Sequence, residues 1–265
     1  MQTVATLEHL LALVARIARD LWTKGWAERN AGNLSVDVTG LVVEPSGAVV
    51  PLARPFPELA GRSIWITAMG CRMRHVARDP AANSGVVRIT PDAAGYRVAW
   101  TGAESAAFQP ASELPSHCAV HASLRRRNAP QQAVLHTHPT ELIALSHVRE
   151  LWDEARLNRL LWRMHPETVA VVPDGVGLVD YILPGTLEQG LATAARLDDH
   201  RVVLWQKHGA VAVGSTLDEA FDLIDTLNKA AQIYLACRAA GFEAEGLSDE
   251  QVEALRVAFT GGTRS

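Results

Sequence analysis

The sequence predicts an α/β protein in which helices cover a mixed, mostly antiparallel sheet. Three observations carry that prediction. Short β-patterned segments ("SIWITA", "GVVRIT", "GYRVAW") follow one another with only Gly, Pro, Asn and Asp clusters between them, so they pair as antiparallel neighbours. Amphipathic segments of helical period open the chain, recur through its second half and close it. No linker-like stretch or internal repeat divides the chain, so residues 1–265 read as a single domain, 48% hydrophobic and long enough to bury a substantial core.

Along the chain, "MQTVATLEHLLALVARIARDLW" reads as an amphipathic helix. Glu8, Arg16, Arg19 and Asp20 interrupt its apolar residues at helical spacing, and no cleavage pattern follows, which excludes an export signal. "GWAERNAGNLSV" breaks that period with Gly25, Asn30, Gly32 and Asn33, a loop that leads to strands at "LSVDV" and "LVVEP". After the three antiparallel segments, "SELPSHCAVHASLRRR" is helical, with Ser112 placed as its N-cap. "QAVLHTH" reads as a buried strand, "PTELIALSH" as a short helix begun by Pro139, "DEARLNRLLWRMH" as a helix and "TVAVVP" as another strand. Thr186 caps a helix over "TLEQGLATAARLDD", and "RVVLWQKHGAVAVG" is two strands around a Lys-His-Gly turn. Two helices close the chain, one stopped by Gly241 and one capped by Ser248.

Composition excludes several classes of partner. A formal net charge of −4 with no long basic block argues against nucleic acid, and the run Arg125, Arg126, Arg127 suits the solvated C-terminus of a helix. The longest apolar runs fall short of the roughly 20 residues that cross a bilayer, so no membrane is expected. Cys71, Cys118 and Cys237 are odd in number and never paired as CxxC. They suggest neither a disulfide framework nor a cysteine zinc site, and point to a reducing cytoplasm.

The chemistry gathers at "AVLHTHPTELIALSH". Residues i and i+2 of a strand project from one face, so His136 and His138 can present two imidazoles to one point, a usable spacing for zinc. His208, beside Gly209 at a strand-to-turn junction, is the best third donor. Two alternatives stay open. An HxH pair can simply be hydrogen-bonded, and His117 with His121, at i and i+4 on one helical face, is a rival ligand pair. His9, His75, His147, His165 and His200 stand alone and read as surface or structural. Glu113, in the first turn of its helix, either compensates the helix dipole or serves as a movable carboxylate beside the metal.

The ordered set "GWAERNAGNLSV", "ASELPSH", "LHTHPTELIALSH", "VVPDGVG" and "WQKHGAVAVG" resembles the class II aldolase/adducin family, from about Trp22 to near Arg238. The resemblance implies a three-layer α/β/α domain and a homotetramer with active sites at subunit interfaces. It implies one Zn2+ per subunit on His136, His138 and His208, with Glu113 as catalytic acid/base and Glu167 as a second catalytic carboxylate near the aldehyde-binding end. Asn30, Gly32, Asn33 and Ser112 match positions that hold the substrate's phosphate and ketose oxygens. The implied reaction is reversible aldol cleavage of a small-molecule sugar phosphate, a ketose 1-phosphate. L-rhamnulose 1-phosphate is the expected substrate, giving dihydroxyacetone phosphate and L-lactaldehyde. Competing readings are an epimerase or dehydratase on the same zinc site, an adducin-like non-catalytic module, and a Schiff-base aldolase through Lys207. The chain departs from the family's phosphate pocket, with Met69 and Cys71 in place of small polar and basic residues and Ala111 in place of a hydroxyl. Weakened phosphate affinity is expected unless Arg72 or Arg74 compensates.

Overall fold

In the computed structural model, which describes residues 6–41, 45–102 and 108–260, nine strands form one sheet. They are β1 (Asn33–Asp37), β2 (Ser46–Pro51), β3 (Ser63–Thr67), β4 (Ser84–Ile89), β5 (Gly95–Thr101), β6 (Ala133–Thr137), β7 (Val176–Val179), β8 (Val202–Trp205) and β9 (Gly209–Gly214). Their order across the sheet is β2-β5-β4-β3-β1-β6-β9-β8-β7, and β7 with β8 is the one parallel pairing among the described residues. The helices are α1 (Leu7–Thr23), α2 (Met73–Val76), α3 (Leu114–Arg126), α4 (Thr140–Leu145), α5 (Glu154–Met164), α6 (Pro166–Val171), α7 (Leu187–Arg196), α8 (Leu217–Ala239) and α9 (Asp249–Thr260).

Strand alternation builds the predicted three layers. Leu135, Val202, Leu204, Ala210 and Ala212 face one core, shared with Val14 and Leu21 of α1 and Ile224 and Leu227 of α8. Their neighbours Val134, Val203, Trp205, Val211 and Val213 face the opposite core, with Val120 and Leu124 of α3. Each fully buried aliphatic side chain contributes about 1.5–3 kcal/mol, so both sheet faces must be covered. The edge strand β7 is satisfied by α5. The Asn158 amide accepts from Val176 N (2.7 Å) and donates to Val176 O (3.0 Å), while Glu154 accepts from Leu178 N at 3.2 Å.

Most end signals hold. Thr186 accepts from Gln189 N, Ser248 accepts from Gln251 N, and α8 ends before Gly241 at φ +82°. Three expectations need correction. "TVAVVP" is not a strand: Pro166 opens α6 across it, and β7 begins only after Gly175, which turns the chain at φ +71°. Ser112 does not cap α3; the helix starts at Leu114, after Glu113, and no side chain caps it. Of "LVVEP", residues 42–44 lie outside the described residues, and Leu41 is not in a strand. No helix among the described residues is long and apolar enough to cross a membrane.

Candidate active site

The sheet's centre brings the three histidines together. His136, the penultimate residue of β6, lies between Asn33 of β1 and Val211 of β9. His138 follows the strand end, and His208 sits in the turn between β8 and β9. Ring centroids are 5.2 Å apart for His136 and His138, 5.0 Å for His136 and His208, and 5.1 Å for His138 and His208. One nitrogen from each ring lies within 4.8 Å of the other two. Two of the rings are oriented from behind. Nδ1 of His136 donates to Ala210 O (3.0 Å) and Nδ1 of His138 donates to the Glu28 carboxylate (2.8 Å), which leaves Nε2 of each a bare lone pair. The Gln189 amide nitrogen is 3.4 Å from Nδ1 of His208.

The turn that carries His208 is tightly built. Lys207 adopts φ +59°, and its N–H donates to the buried Ser146 hydroxyl at 2.8 Å. A Cβ on Gly209 would lie 2.6 Å from Thr137 O, 2.9 Å from His138 Cδ2 and 3.0 Å from His136 Cε1, so only glycine fits. Burial, reinforced by His138, pushes the His136 pKa well below its usual value. Burial and then His136 lower His208 to about 3. Both shifts favour the neutral imidazole that binds a divalent metal, and three protein ligands would leave a position for substrate. Because His136 is neutral, the 3.6 Å approach of Glu113 Oε2 to its Nε2 is not an ion pair.

Glu113 is 7% exposed, and Asn33 Nδ2 donates to its Oε2 at 2.8 Å. Asn33 is brought there by the loop after α1, which is pinned where the Thr137 hydroxyl (2.7 Å) and His138 N–H (2.9 Å) both donate to Trp26 O. Gly32, at φ +78°, passes so near β6 that a Cβ would lie 3.0 Å from His136 O. Asn30 is exposed. Ser112 is exposed too, and lines a cavity of about 520 Å³ with Met69, Tyr96, Phe108 and Ala111, a largely apolar wall. Burial raises the Cys71 thiol to about 11.

Glu167 stands apart. It is exposed, pairs with His165 at 3.1 Å, and lies on α6, which leads into the start of β7, whereas His208 follows the end of the parallel β8. Within one chain it is not part of the histidine group. The rival pair His117 and His121 turns both rings to Ser35 Oγ, at 2.6 and 2.8 Å. Lys207 is exposed, Lys24 pairs with Asp225 at 2.8 Å, and Lys229 is exposed beside Gln232, so none is the desolvated amine of a Schiff-base aldolase. Sequence reasoning missed Glu28, which orients His138, Ser146, which holds the turn carrying His208 through Lys207 N, and Gln189, whose amide nitrogen lies beside the His208 ring.

A family model described as Class II Aldolase and Adducin N-terminal domain matches residues 12–235. The chain belongs to the class II aldolase and adducin family. A rhamnulose-1-phosphate aldolase of Bacteroides thetaiotaomicron is 43% identical over 252 residues, covering 93% of this chain and 92% of that protein. One from Escherichia coli is 40% identical over 248 residues, covering 91% and 89%. A sugar-phosphate aldolase structure from Thermotoga maritima matches with TM-score 0.75 at 32% identity, over 91% of this chain and 99% of that one. Class II aldolases are metal-dependent, and His136, His138 and His208 are the group among the described residues that could hold the metal.

Proposed function

We propose that the chain is a zinc-dependent aldolase that reversibly cleaves L-rhamnulose 1-phosphate to dihydroxyacetone phosphate and L-lactaldehyde. The convergence of three imidazoles beside one buried carboxylate carries this reading, in a chain whose relatives at 40–43% identity are rhamnulose-1-phosphate aldolases. His136, His138 and His208 would hold the zinc. When bound there, zinc supplies the positive charge that stabilises the negative charge developing on the substrate's oxygens as the C3–C4 bond breaks.

Glu113 moves the proton. In the cleavage direction it takes the C4 hydroxyl proton as the C3–C4 bond breaks and delivers a proton to C3, ending as it began; the synthetic direction runs the same two transfers in reverse. Asn33 orients that carboxylate through their 2.8 Å hydrogen bond. Asn30, Gly32, Asn33 and Ser112 hold the phosphate and ketose oxygens, and Arg72 and Arg74 offer the charge that Met69 and Cys71 lack. Glu167 acts at the aldehyde end from a neighbouring copy, because in its own chain it is exposed and turned to His165. A cytoplasmic homotetramer of single-domain subunits fits this role. Exposed Tyr181 and Leu183, 61% and 65% accessible, support such a contact.

The decisive experiment strips the purified protein with a chelator and restores one equivalent of zinc. Activity should vanish and return, with lactaldehyde released from L-rhamnulose 1-phosphate and much less from unphosphorylated L-rhamnulose. A stereoisomer or a dehydrated ketone, with no aldehyde fragment, would replace this reading with an epimerase or a dehydratase.

A further inference from the structure

A stripe of polar side chains runs between β1 and α3. Asn33 and Ser35 project from one face of β1, and Glu113, His117 and His121 recur every four residues along α3. The two repeats match, since two strand residues advance about 6.6 Å and four helical residues about 6 Å. All five side chains belong to residues no more than 9% exposed.

Their hydrogen bonds admit one polarity. A carboxylate accepts and never donates, so Asn33 turns Nδ2 to Glu113 Oε2 at 2.8 Å, and its Oδ1 faces His117 Nε2 at 2.5 Å. His117 therefore donates from Nε2. Burial lowers its pKa to about 3, so the ring is neutral and Nδ1 is a bare acceptor. Ser35 donates its single hydroxyl proton there at 2.6 Å, and then accepts from His121 Nε2 at 2.8 Å. The chain ends at His121 Nδ1, a buried lone pair without a partner, which is more readily tolerated than an orphaned N–H.

We infer that His117 and Ser35 are positioning residues for the reaction: they lock the Asn33 amide with its NH2 toward Glu113, and so hold the carboxylate aimed at substrate. His121 extends the lock by engaging Ser35. Without His117, Asn33 Oδ1 loses its donor and the amide is free to turn away from Glu113. This is not a proton wire, because the Asn33 amide interrupts it. The role rests on Glu113 being the acid/base proposed above.

The test compares His117→Gln, His117→Asn, His117→Leu and Ser35→Ala in zinc-loaded protein of verified metal content. Glutamine places an NH2 near the position of Nε2, whereas asparagine reaches only that of Nδ1. His117→Gln should stay within about threefold of wild-type kcat, and His117→Asn and His117→Leu should lose about tenfold or more, with zinc content little changed. In an Asn33→Ala background, His117→Leu should cost nothing further. A crystal structure of His117→Leu should show the bond from Asn33 to Glu113 broken. Should His117→Leu fail to fold, Ser35→Ala, which removes one atom, carries the same cycle.

Wild-type kcat in His117→Leu, equal losses for Gln and Leu, or additive losses in the cycle would overturn the inference while leaving the aldolase reading intact. A zinc-loaded wild type that cleaves no ketose phosphate would overturn both.

Discussion

Gly209 gives three rings the space they share. Gly209→Ala puts a methyl group 2.6 Å from Thr137 O and against His136 and His138, so the rings must move. The variant should fold but bind zinc at least about tenfold more weakly in a competitive chelator titration; wild-type affinity would refute the steric argument. Glu28→Ala, which removes the acceptor behind His138, should weaken zinc by about 10–100-fold by the same measurement. The three histidines that could hold a metal were legible as a group because strand periodicity fixes where His136 and His138 point, and a glycine marks the turn at His208. Glu28 was not legible, since nothing in "GWAERN" says which loop side chain will reach the imidazole; that depends on where the sheet pins Trp26. Glu167 could be named only through family likeness, and its own chain gives it no place beside the histidines.

At the scale of elements, the edge strand depends on a helix. Asn158→Leu would leave Val176 N and O without their partners, and should destabilise the protein by about 2–4 kcal/mol in urea unfolding. A loss under about 0.5 kcal/mol would show that β7 does not rely on α5. The sequence reading went wrong close by, at "TVAVVP", for an identifiable reason. Six apolar-rich residues are too few to separate a buried helical turn from a strand, and Thr168, Val169 and Val172 are buried in α6 or just after it as they would be in a sheet. Helix ends fared better. Thr216 accepts from Glu219 N at 3.1 Å at the start of α8, so Thr216→Ala should cost about 1 kcal/mol in thermal or urea melts.

For the whole molecule, buried imidazoles set the response to acid. Burial lowers His117 to about 3 and His121 to about 4, against about 6.5 in an unfolded chain. Below pH 6.5 the unfolded chain therefore takes up protons that the native one refuses. Metal-free protein should lose stability steadily from about pH 6.5 toward 4, by about 1.4 kcal/mol per pH unit for each such imidazole, and should be level above that window. Stability that stays flat from pH 7 to 4.5 would contradict this. The layered architecture was legible in outline, because period-2 and period-3.6 segments alternate along the chain. The order of strands was not, since it depends on partners remote in sequence.

That remoteness has a kinetic consequence. His136 opposes Val211, so His136 and His138 meet His208 only after two segments distant in sequence, β6 and β9, have registered against one another. An ion held by these rings would find its site only once the sheet has formed. Refolding rates should be indifferent to added zinc, while the unfolding rate of the loaded protein falls, and the cation acts as a latch rather than a nucleus.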